Sequence, residues 1–153
     1  MTPLFLISAA RYLAYYEGEK DFLPRAVSTY YYALFRAICI GIADEWFGAD
    51  ELSRSSVDWN HMCRGVNHGA ILRACKDKNL ISRLPIIFGD LAEIFQQAQL
   101  DRHLADYDLL NTFERELVLK EIDKTERVIL GFDAAESIHR RIFLSRIVYP
   151  DRK

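Results

Sequence analysis

The chain has 153 residues, 50% hydrophobic and 27% charged, with a net charge of −2. That size buries an apolar core without disulfide or metal staples, and the composition excludes a disordered tail, a collagen-like chain and a generally polybasic nucleic-acid binder. Seven glycines and four prolines are few for an all-β chain that must turn roughly every ten residues, so the composition leans helical. Cys39, Cys63 and Cys75 form an odd set without a Cys-x-x-Cys pair. Neither a disulfide framework nor a zinc ribbon is indicated, and a reducing cytoplasm is the natural compartment.

Pro3 to Ile7 is apolar but lacks a basic leader, and Arg11 interrupts it, so it reads as the start of a core helix and not as a signal peptide. Leu6, Ala9, Ala10, Leu13 and Tyr16 recur at helical steps on one face of a first helix that ends at Gly18. A polar connection, Gly18 to Asp21, leads to Pro24 and a second helix. Its stripe is Val27, Tyr31, Leu34, Phe35, Ile38, Ile42 and Trp46, closed by Gly48. No stretch approaches the roughly 20 uninterrupted apolar residues that span a bilayer, which predicts a soluble chain with no membrane partner. After the polar loop Ser53 to Ser56, the segment Val57 to Cys75 is expected to break into two shorter helices near Asn67-His68-Gly69.

Pro85 opens a long helix with Ile87, Leu91, Ile94, Phe95 and Ala98 on one face, reaching Tyr107. Asn111 and Glu114 have the spacing of a capping box and predict the next helix start, with Val118, Ile122, Ile129 and Phe132 in step. A last long helix runs towards Val148. The expectation is an all-α, up-and-down bundle of four to five long helices, one domain over residues 1–149 with a polar tail at 150–153.

Phosphate-loop, nucleophile-elbow and His-Glu-x-x-His signatures are absent. Glu136-x-x-His139 has one half of a di-metal carboxylate pattern, and Asp58-x-x-His61 is the nearest substitute for the other; without inward glutamates they read as solvated helix faces, and no metal cofactor is expected. Tyr30, Tyr31 and Tyr32 read as core tyrosines that keep a hydroxyl for a polar partner. Arg25, Ser28 and Arg36 set polar groups along the same helix. Arg64 and His68 share a helical face if the helix continues through Gly65, with His68 as a C-terminal cap as the alternative. Arg102-His103 stands before Asp106, Tyr107 and Asp108, which reads either as a reactive cluster or as a salt-bridge cluster ending a helix. Arg54 and His61 form a pair that chance readily produces.

Arg25-Ala26-Val27-Ser28-Thr29-Tyr30-Tyr31-Tyr32-Ala33-Leu34-Phe35 resembles the Arg-x-x-Ser-x-x-Tyr-Tyr-Ala-x-Phe segment of the HEPN superfamily, the small helical domains of prokaryotic toxin–antitoxin and RNA-targeting defence systems. The likeness extends through Trp59 to His68-Gly69, and to Gln99-x-x-Arg102-His103-x-Ala105-Asp106-Tyr107-Asp108. It implies a helical bundle that dimerises and brings two copies of an Arg-x(4–6)-His motif together to cleave RNA without a metal. In that chemistry a 2′-hydroxyl attacks phosphorus, a His moves protons and an Arg holds the phosphorane charge. Arg64 and His68 have three intervening residues, one short of that motif; Arg102 and His103 are adjacent; Arg54 and His61 fit its spacing but lie outside the best-matching segments; and Arg36 stands where members often carry His.

The resemblance gives His68, Arg102, His103 and Arg64 as catalytic candidates, converging across a bundle cleft. Arg25, Arg36, Tyr32, Asp106 and Tyr107 are the binding candidates. The partners it implies are a second copy of the chain, RNA or a nucleotide phosphate, and an antitoxin or nucleotidyltransferase. The alternative reading is a non-catalytic module that grips a nucleotide phosphate or a protein with the same cations.

Overall fold

In a computed structural model describing residues 1–16 and 22–151, helix α1 (Pro3–Tyr15) begins where the Thr2 hydroxyl accepts the Phe5 amide. Ile7, Ala10 and Ala14 of α1 are buried, as a core helix requires. The expected end of this helix at Gly18, the Gly18–Asp21 connection and the last two residues of the tail lie outside the described residues. Helix α2 (Phe22–Phe47) ends at Gly48, whose φ of 85° is the left-handed conformation that glycine adopts without penalty. Trp46, expected on the buried stripe, is instead 56% exposed in the last turn of α2, with Tyr149 beside it.

The chain continues through α3 (Ser56–Gly65), α4 (His68–Lys76), α5 (Lys78–Ile81), α6 (Ile86–Tyr107), α7 (Arg115–Ala134) and α8 (Ser137–Val148). All eight described elements are helices, packed as a bundle around α2, which meets α1, α3, α6, α7 and α8. One apolar cluster, with Tyr31, Leu34, Ile38, Phe88, Phe95 and Phe132 among its fully buried members, joins them. Each such side chain contributes about 1.5–3 kcal/mol by leaving water. By length and composition alone α2 is a candidate span after all, and 67% of its most apolar window is buried within the protein.

Three local expectations are corrected. Asn111 and Glu114 form no capping box: α7 starts at Arg115, with Glu114 at its cap and no side-chain hydrogen bond there. That start lets Arg115 donate to the Ala14 carbonyl at 2.8 Å and the Tyr16 carbonyl at 3.1 Å, satisfying acceptors at the end of α1. The helix carrying Arg64 does not continue through Gly65, since Val66 is extended and ends it. His68 therefore opens α4 and caps no helix C-terminus.

Candidate functional site

One stripe of α2 carries Arg25, Ser28, Tyr32 and Arg36 at three- and four-residue steps, with Tyr31 and Phe35 beside it. Tyr30 and Tyr31 are buried, but Tyr32 is 39% exposed, so only two of the three tyrosines belong to the core. Each hydroxyl has a polar partner: Tyr30 reaches Asp101 at 3.3 Å, Tyr31 reaches His68 Nδ1 at 2.5 Å, and Tyr32 accepts from Arg102 Nη2 at 3.1 Å.

The break between α3 and α4 delivers the imidazole. Asn67 caps α4 by accepting the Ala70 amide at 2.8 Å, which fixes His68 as the first helical residue and turns it onto α2. Its ring stacks on Phe35 with centroids 4.0 Å apart. Half-burial, followed by the nearby Arg102 charge, holds His68 below its ordinary value of 6.5. Burial pushes the Tyr31 hydroxyl upward, so it keeps its proton.

The last turns of α6 supply the cation. Arg102 Nε lies 2.7 Å from Asp106 as an ion pair, in a geometry that makes no hydrogen bond. The guanidinium sits 5.9, 5.6 and 5.9 Å from the ring centres of Tyr31, Tyr32 and Tyr107. Asp106 also accepts the Ser28 hydroxyl at 2.5 Å, tying α6 to α2. The salt bridge expected at the helix end is thus formed, and it orients Arg102 over the tyrosines.

Of the nine sequence candidates, Tyr32, His68, Arg102 and Asp106 meet here, with Tyr107 exposed at the edge. His103 is exposed, its ring 4.9 Å from that of Tyr107. Arg25 is exposed one turn before Ser28. Arg36 and Arg64 line a separate groove. Sequence reasoning missed Tyr31 and Phe35 as the support of His68; their signal was the α2 stripe shared with Ser28 and Tyr32.

Arg54 is engaged structurally, 4.0 Å over the Trp59 ring and 3.0 Å from Asp44, which also accepts Trp59 Nε1 at 2.7 Å. His61 and Glu136 are exposed and His139 is half-buried, and Asp58 accepts the Ser55 hydroxyl at the start of α3. Among the described residues no group of three or more His, Cys, Asp or Glu is arranged to hold a metal ion. No protein-family model matches the chain, and neither a curated protein nor a solved structure matches it.

Proposed function

We propose that this chain is a HEPN-like, up-and-down helical protein of the cytoplasm that acts on RNA as a homodimer, serving as a ribonuclease toxin or defence effector. The observation that carries this reading is a half-buried imidazole held towards its neutral form beside an arginine, both fixed on the tyrosines of α2. Neutral His68 that keeps its hydrogen on Nδ1 donates it to the Tyr31 oxygen and leaves a lone pair on Nε2. That nitrogen takes the proton of a ribose 2′-hydroxyl as the 2′-oxygen bonds to phosphorus. The bond from phosphorus to the 5′-oxygen then breaks, the leaving oxygen takes a proton from the imidazolium just formed at His68, which returns to neutral, and the products are a cyclic 2′,3′-phosphate and a 5′-hydroxyl. Arg102 supplies charge to the phosphorane oxygens. His103 and Tyr107, exposed beside Arg102, belong to the face offered to a second copy.

The ion pair with Asp106 favours a second reading, since it partly neutralises Arg102: a non-catalytic module that binds RNA, a nucleotide or an antitoxin or nucleotidyltransferase partner. Incubation with a structured RNA in EDTA, followed by end-group analysis, separates the two. The ribonuclease reading expects cyclic-phosphate ends, reduced about 100-fold or more in His68→Ala. Intact RNA, or equal cleavage by that variant, overturns it.

A further inference from the structure

The groove between α2, α3 and the start of α1 is left unused by that chemistry. It encloses about 670 Å³, within the roughly 300–1,000 Å³ of small-molecule sites. Its wall holds the aromatic rings of Tyr32, Phe35 and Trp59 and the cations Arg36 and Arg64, and among the described residues no carboxylate lines it. Both arginines are exposed, and among the described residues neither is in an ion pair. Burial raises the Cys39 thiol on the groove wall to about 12, and the Arg36 charge opposes that rise. Trp59 is held in place by Asp44 on its indole nitrogen and by Arg54 across its ring, so its position needs no ligand to set it. The carboxylate nearest this ring is already paired with Arg54 and does not cancel the groove's charge.

Unpaired guanidinium forks match phosphate oxygens, and a fixed indole gives an aromatic base a stacking surface. We propose that the groove is a site for one nucleotide unit, with the base against Trp59 and the phosphate between Arg36 and Arg64. Where the ligand is a polymer, the proposal rests on the RNA-directed reading. The groove then takes the nucleotide next to the one at His68 and Arg102, because Tyr32 and Phe35 wall both places.

The chain has two tryptophans, so a Trp46→Phe protein reports from Trp59 alone. In that background, titration with AMP and with a short single-stranded oligoadenylate is expected to quench fluorescence saturably. Arg36→Ala and Arg64→Ala should each weaken binding at least tenfold, with circular dichroism unchanged. Absence of saturable quenching by both probes, or quenching unchanged in both arginine variants, overturns the proposal. Arginine-dependent AMP binding by a chain that leaves RNA intact upholds the groove while removing the ribonuclease reading. RNA cleavage without any arginine-dependent binding does the reverse.

Discussion

His68 sits where three influences disfavour a positive charge: half-burial, the neighbouring Arg102, and the positive end of the α4 dipole. The unfolded chain has no such penalty, so it takes up a proton near the ordinary value of 6.5 while the folded chain resists until a lower pH. Stability is therefore complete above the ordinary value and declines as pH falls through it. Thermal melts from pH 7.5 to 5 should show wild type losing stability relative to His68→Gln, which carries no proton in either state. Parallel curves for the two proteins would show that the fold does not hold this half-buried imidazole towards its neutral form. The residues that create this setting were only partly legible. The tyrosine run announced phenols seeking polar partners, but which partner each finds depends on a helix 37 residues further on for Tyr31 and 70 for Tyr32.

Helices were legible where a side-chain rule is local. The apolar stripe and Gly48 defined α2, Pro85 marked the start of α6, and Asn67 marked the break before α4. They were illegible where a distant group decided the matter: α7 begins at Arg115, whose guanidinium closes the carbonyl end of α1, and no spacing around Asn111 records that. The approach of α6 to α7 is another long-range demand. A Cβ added at Gly131 would stand 2.5 Å from Ile87 Cδ1 and 2.7 Å from its Cγ1, so glycine is what lets these helices come together. Gly131→Ala gains helix propensity but must displace Ile87. The expected net cost is about 1 kcal/mol, read as a Tm lower by about 2–4 °C; an unchanged or higher Tm would show that Ile87 yields freely.

Across the molecule, one group of exposed apolar residues lies on α1, and another lies along and just after the end of α6. Leu100, Leu104 and Tyr107 lie on one side of the helix and Leu109 and Leu110 follow it, all exposed. Apolar surface concentrated in this way marks an interaction face more often than bare solvent. On the proposed reading a second copy covers it, next to Arg102 and His103. Sedimentation should give a dimer for the wild-type chain and a monomer for a Leu104→Glu, Leu109→Glu protein with unchanged helicity. A dimer in both would move the contact elsewhere. Composition and periodicity announced the helical class, but not this face, because an apolar residue in a sequence reads the same whether it meets the core or a partner.

The cluster on α2 is stitched from segments far apart in the chain: 37 residues separate Tyr31 from His68, 70 separate Tyr32 from Arg102, and 78 separate Ser28 from Asp106. During synthesis, α2 leaves the ribosome long before the imidazole and the guanidinium that complete its tyrosines. A polypeptide halted before α6 emerges carries the phenols without Arg102 or the carboxylate that aims it. The cluster is complete only after about two-thirds of the chain has been made, Asp106 being the last contributor of 153 residues.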